Sequence, residues 1–211
     1  MEDLFPGLVG TWKKINLEEL YTEQKNLNMF DVDDQCKLLN QAVNSEDKIF
    51  TYGGFGEDRS NLWNGFSYPS PVIHLGVDFN NLPVGQPVAS QSNGIVVDSW
   101  MHNIDFDGWG GRVVIRDENG LYWMYGHLDR SILGLDEHVK KGDIVGKIGN
   151  SNENGGWFPH LHLQVMTDEF VGQNSDWAKI DGYYTSIPRG VLDPLGVLAR
   201  PITPGNFCVE K

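Results

Sequence analysis

From about residue 70 onward, apolar residues come in short runs of period two, broken at close intervals by Gly, Pro, Asn and Asp, and no segment sustains a 3.6-residue period. The runs predict strands over 72–79, 93–99, 111–117, 121–127, 144–148 and 161–167, and Glu118-Asn119-Gly120 predicts a hairpin turn between two of them. A mostly β, antiparallel body follows. Residues 168–190 are polar and aperiodic, and predict a long loop or insertion over one edge. The first fifty residues pattern differently. Asn16 is placed to cap a helix carrying Leu17, Leu20 and Tyr21 on one side, and a second helix starts after Asp31 with Leu38, Leu39, Ala42 and Val43. Residues 1–50 therefore read as a small helical N-terminal appendage and 51–211 as a β domain.

A length of 211 residues suits one domain with such an appendage. The chain holds 16 Lys+Arg against 29 Asp+Glu, a net charge of -13, so it has no extended basic surface and nucleic acid is not an expected partner. Cys36 and Cys208 form no CxxC pair, which excludes a disulfide framework or thiolate zinc knuckle and leaves any metal to His and carboxylates. No basic segment followed by an apolar one opens the chain, and no run reaches the roughly 18 apolar residues of a membrane span, so the chain as written predicts a cytoplasmic protein without a span. Oligomeric state is not legible. Asp31-Val-Asp-Asp-Gln-Cys has calcium-loop spacing but lacks the Gly and Glu that such a loop needs, and reads as an acidic helix cap.

The histidines carry the chemistry. They are His74, His102, His127, His138, His160 and His162. Strand alternation puts His160 and His162 of Pro159-His-Leu-His-Leu163 on one face, about 6.6 Å apart at Cα, a workable bite for a metal or for one ligand and one catalytic group. His74 and Asp78 would stand about 13 Å apart on a straight strand, too far for one metal. They can share one only if the chain breaks between them, and Gly76 is the residue that permits it. His127 closes a run of alternating aromatic and apolar residues, where a strand delivers a side chain to a rim. Each of these, taken alone, is equally a hydrogen-bonded core histidine. His102 and His138 sit in polar surroundings and read as surface residues.

A catalytic zinc takes three protein ligands and keeps one position for water, and His74, Asp78 and His162 can supply two imidazoles and a carboxylate. There is no HExxH, so proton handling falls to His160 and His127.

In order, His74-x-x-x-Asp78, Tyr125-Gly-His127-Leu and Pro159-His160-Leu-His162 resemble the lysostaphin-type zinc metalloendopeptidases, bacterial cell-wall hydrolases. Val139-Lys-Lys-Gly-Asp-Ile-Val-Gly-Lys-Ile-Gly149, Gly155-Gly-Trp-Phe-Pro159 and Leu192-Asp-Pro-Leu-Gly-Val-Leu198 are similar to that family as well, and the likeness covers the core of the β domain, 70–198. The resemblance implies a compact antiparallel β-sandwich with an open groove. It implies His74, Asp78 and His162 as zinc ligands, His127 and His160 as the catalytic pair, and a peptide or peptidoglycan-like substrate whose amide bond is cleaved. Trp157, Phe158 and Tyr125 flank the motifs and are placed either to wall the groove or to pack the core. Gln164 stands where the family often has Glu, and the helical appendage has no counterpart in it. Relatives usually act outside the cytoplasm, at odds with the cytoplasmic expectation. Two readings stay open beside the zinc hydrolase: a non-catalytic zinc-binding regulatory module, and an intracellular amidase acting on a small peptide-like metabolite.

Overall fold

A computed structural model describes residues 1, 3–24, 26–43, 48–68, 70–101, 108–130 and 132–199. His102 and Cys208 lie outside the described residues. In chain order the first elements are β1 (Thr11–Lys14), α1 (Leu17–Thr22), α2 (Val32–Gln41), β2 (Ile49–Gly53), β3 (Ile73–His74), β4 (Val77–Asn80), β5 (Pro87–Ala89) and β6 (Gly94–Met101). They continue with β7 (Gly111–Asp117), β8 (Leu121–Leu128), β9 (His138–Val139), β10 (Ile144–Lys147), β11 (His160–Thr167), α3 (Asp168–Gln173), β12 (Tyr183–Tyr184), β13 (Val191–Leu192) and α4 (Pro194–Leu198).

Among the described residues nine strands join in one sheet, ordered β1-β2-β4-β11-β8-β7-β6-β9, with β13 also on β11. All pairings are antiparallel except β1 with β2. The β7–β8 turn falls where the sequence placed it. Gly120 takes the left-handed φ of 78° that a side chain resists, and the Asp117 carboxylate accepts the N–H groups of Asn119 and Leu121 and the Trp123 indole N–H.

Every residue of β8 is buried, and alternation sorts its side chains into two layers. Leu121, Trp123 and Tyr125 join Leu161, Leu163 and Val165 of β11 in a large core, which the β5–β10 ribbon covers with Val88 and Val145. Tyr122 and Met124 point the other way, to a smaller core with Met166, Leu75, Phe170 and Ile180. The sandwich is thus one broad sheet with a narrow second layer. Residues 168–190 are more ordered than their composition suggested: α3, a short 3₁₀ turn at Trp177–Lys179 and β12 pack Phe170 and Ile180 into the smaller core, and β12 pairs with β3.

Both predicted helices form. The side chains of Asn16 and Asp31 accept helix N–H groups at their caps. The N-terminal segment also contributes β1 and β2 to the main sheet, which helix periodicity alone did not signal. Leu17, Met29, Leu38 and Leu39 pack with Leu62, Trp63, Trp157 and Phe158 in a third cluster, so the helices close against the loop that precedes β11. Among the described residues no helix is long and apolar enough to cross a membrane.

Candidate metal centre and catalytic pair

The second face of the sheet carries the candidate site residues. In β11, His160, His162 and Gln164 alternate with core residues Leu161 and Leu163, and in β4 Asp78 alternates with Val77 and Phe79. Register then pairs Asp78 with His162, and His162 with Gly126 of β8. His74 arrives from β3, separated from β4 by the break at Leu75-Gly76. A glycine is required there for space: a Cβ on Gly76 would lie 2.4 Å from His162 Nε2 and 2.7 Å from the Leu163 carbonyl.

The result is a convergence of three ligand atoms. His162 Nδ1 lies 3.1 Å from Asp78 Oδ1 and 3.0 Å from His74 Nε2, and His74 Nε2 lies 3.3 Å from the same carboxylate oxygen. Among the described residues, these three form a group whose ligand atoms all lie within 4.8 Å of one another and could hold a metal ion. His162 Nε2 donates to Gln164 Oε1 at 3.2 Å, which leaves the Nδ1 lone pair facing Asp78 and His74. The donor set, two buried imidazoles and one buried carboxylate, fits a zinc-like cation.

Asp78 has a second partner that sequence reading did not anticipate. Arg59, 1% exposed, donates through Nη1 to Asp78 Oδ2 at 2.7 Å and through Nε to Glu57 at 3.1 Å. Burial alone would raise the Asp78 pKa, yet His74 and Arg59 outweigh it and hold the carboxyl well below its usual range. Burial, helped by the nearby Arg59 charge, lowers His74 to about 3. Its imidazole is therefore neutral at pH 7, the form a ligand needs.

His127 reaches the site by breaking a rule. Leu121, Trp123 and Tyr125 point to the large core, and strict alternation would send His127 after them. Its left-handed φ of 65°, which costs about 1–3 kcal/mol for a residue with a side chain, turns the ring to the second face instead. There its centroid lies 4.2 Å from that of His160. His127 Nδ1 donates to the Asn154 carbonyl at 2.8 Å, and His160 Nδ1 donates to the Phe158 carbonyl at 2.7 Å. A carbonyl only accepts, so both rings keep Nδ1–H and present Nε2 as a lone pair. His160 Nε2 is 4.0 Å from Asp78 Oδ1. Burial lowers His160 to about 4 and, reinforced by His160 itself, pushes His127 well below the ordinary imidazole value.

A cavity of about 400 Å³ opens over these groups, walled by Trp63, Tyr68, Trp109, Trp157 and Tyr183. Of the two placements open to Trp157, Phe158 and Tyr125, Trp157 and Phe158 line the cavity while also packing in the third cluster, and Tyr125 is fully buried in the large core, where its hydroxyl accepts the Gln91 N–H. His138 is exposed on β9. Arg59, Asn154 and Tyr183 join the site without a motif in the sequence to mark them. The phenol of Tyr183 accepts from Arg59 Nη1 and Trp63 Nε1.

The peptidase family M23 pattern matches residues 72–176. An endolysin of Staphylococcus phage 2638A is 44% identical over 64 residues, 29% of this chain and 13% of that protein. A peptidoglycan DD-endopeptidase of Vibrio cholerae is 32% identical over 95 residues, 45% of this chain and 20% of that protein. The matches thus span a fifth or less of these curated relatives' length. Among solved structures, the catalytic domain of lysostaphin from Staphylococcus simulans aligns with a TM-score of 0.49 and 24% identity, covering 71% of this chain and 92% of that one.

Proposed function

Through residues 72–176 the chain belongs to peptidase family M23, and from that premise we propose that it is a zinc-dependent hydrolase of peptide (amide) bonds, endopeptidase-like, acting on a peptide or peptidoglycan-like substrate. The observation that carries the proposal is the convergence of His74, Asp78 and His162 within 4.8 Å, beside two imidazoles whose free Nε2 atoms face the same cavity.

His74, Asp78 and His162 would hold the ion, and Arg59 and Gln164 hold Asp78 and His162 in turn. When bound, zinc supplies an activated water and a Lewis acid for the scissile carbonyl. The protein's own part is proton handling. His160 Nε2 accepts the proton from the attacking water, and Asp78, 4.0 Å away, favours the imidazolium that forms. His127, its ring beside that of His160 and its Nε2 also a lone pair, relays that proton, which goes to the leaving amine nitrogen as the amide C–N bond breaks. The aromatic walls exclude water and position the chain to be cut. The peptidoglycan DD-endopeptidase relatives favour a cell-wall peptide over other substrates.

Metal analysis of the purified protein, run beside hydrolysis of Gly-rich peptides and cross-linked muropeptides, tests this reading. One equivalent of zinc and chelator-sensitive cleavage are expected. Full zinc with no cleavage across the panel sinks the hydrolase and leaves a binding module. No zinc sinks the metal assignment.

A further inference from the structure

The N-terminal helices do more than cover the sheet. Gln35 on α2 has no exposed surface, yet it is polar on a face whose other buried members are Leu38 and Leu39. A buried amide is tolerated only when both its ends are paired. Here Nε2 donates to the Met29 carbonyl at 2.9 Å, and Oε1 accepts the N–H of Phe158 at 3.0 Å, 123 positions away.

Phe158 is the residue whose carbonyl takes the His160 Nδ1 proton. The next residue is Pro159, which has no N–H, so the chain entering β11 cannot be anchored by a donor at that position. Anchoring falls to Phe158 itself. Gln35 holds its N–H, and the Asn154 amide holds its carbonyl at 3.2 Å beside His160. A leucine at 35 would fill similar space but leave a buried N–H and a buried carbonyl without partners.

The appendage reaches the metal half by a separate path. The Glu18 N–H in the first turn of α1 donates to Glu57 Oε1 at 2.7 Å, and Glu57 Oε2 accepts from Arg59, which holds Asp78. Both halves of the site are therefore tied to residues before position 50, in the segment the sequence set apart from the catalytic domain.

We propose that Gln35 is a positioning residue for catalysis: by holding the Phe158 N–H it fixes the carbonyl that keeps His160 in its Nδ1–H tautomer with Nε2 toward the cavity. The role of His160 rests on the hydrolase reading, while the tautomer does not. The full chain, labelled with ¹⁵N and studied at pH 7 by two-bond ¹H–¹⁵N histidine spectra, reads it directly. Wild type shows His160 as a single Nδ1–H tautomer. Gln35→Leu shifts both ring nitrogens toward a mixture, lowers kcat about 10-fold and leaves zinc content and KM unchanged within about 2-fold. Gln35→Glu keeps the wild-type tautomer, because a carboxyl oxygen accepts the Phe158 N–H in either protonation state, and when protonated its O–H also remakes the bond to the Met29 carbonyl.

A purely structural Gln35 lowers the unfolding midpoint of Gln35→Leu but leaves tautomer and kcat alone, and that result overturns the proposal. If Gln35→Leu does not fold, hydrogen exchange of the wild-type Phe158 amide decides: protection matching the core of α2 supports the anchor, and exchange at loop rates overturns it. A tautomer shift in a protein that cleaves no peptide sinks the hydrolase reading and leaves the positioning role standing.

Discussion

His74, Asp78 and His162 stand on paired strands and are steadied by side chains, Arg59 for the carboxylate and Gln164 for one imidazole. His127 and His160 are steadied by two backbone carbonyls, those of Asn154 and Phe158, in the loop between β10 and β11. The first arrangement depends on sheet register, which cannot slip by one residue without turning every side chain over. The second depends on loop geometry, which the Asn154 side chain, Gln35 and the strained backbone of His127 must hold. Metal binding and turnover should therefore be separable by mutation although the two sets share Asp78 as a neighbour.

The largest test sets one half against the other. Asp78→Ala removes a proposed ligand and breaks the buried pair with Arg59, leaving that cation with Glu57 alone. Loss of metal and a destabilisation of about 3–5 kcal/mol are expected, read by metal analysis and urea unfolding. His127→Ala should keep its metal and lose about 10²–10⁴ in kcat, the usual worth of a general acid–base group. If His127→Ala releases the metal as readily as Asp78→Ala does, the two halves are one unit and the contrast fails.

A loop test comes next. The Asn154 side chain donates to the carbonyls of Gly149, Trp157 and Phe158 and accepts the Trp157 N–H. Asn154→Ala should cost about 1–3 kcal/mol, because buried partners lose their bonds, and should slow turnover about 10- to 100-fold with zinc content unchanged. Zinc loss in a folded Asn154→Ala protein would place the loop under both halves.

Acid tests the burial that both halves share. His74 stays neutral in the folded chain down to about 3 and His160 down to about 4, whereas in the unfolded chain each takes a proton near pH 6.5. The unfolded state therefore binds more protons as pH falls below about 6.5. Metal-free protein should lose stability from there toward about pH 4, by up to about 1.4 kcal/mol per pH unit for each imidazole. Urea midpoints at pH 7, 6 and 5 measure the slope. A flat profile would mean the rings are hydrated.

How far the sequence announced all this depends on which physics carried each residue. The strands β4, β6, β7, β8, β10 and β11, both helix caps and the Gly120 turn follow from local rules, and spacing alone required a break between His74 and Asp78. His127 is the instructive failure of periodicity. Alternation assigns it to the wrong face, and a positive φ at a histidine has no signature in the residues around it. Arg59 lies 19 positions from Asp78 and Gln35 123 from Phe158, so their roles exist only once the chain has closed. The polar, aperiodic stretch 168–190 hid α3 and β12 because its order comes from packing Phe170 and Ile180 against the sheet.

The smallest effect concerns Gln164, where the family resemblance leads one to expect Glu. Its Oε1 accepts from His162, but its Nε2 is buried without a hydrogen-bond partner among the described residues. The side chain is thus half satisfied, and the unused donors aim no charge at the metal. Gln164→Glu would remove the orphaned donors and set a carboxylate behind His162, making the ligand more basic. Without metal, that carboxylate adds a second buried negative charge near Asp78 and should destabilise the protein by about 1–2 kcal/mol. With metal, the charge is partly offset, and zinc affinity should rise by up to about 10-fold, or about 1.4 kcal/mol. The signature is the difference between the two states: the unfolding temperature should gain more on zinc addition in Gln164→Glu than in wild type. An equal gain in both would mean that the hydrogen bond to His162 sets ring orientation alone, and that the strand half of the site owes its metal affinity to Asp78 and Arg59.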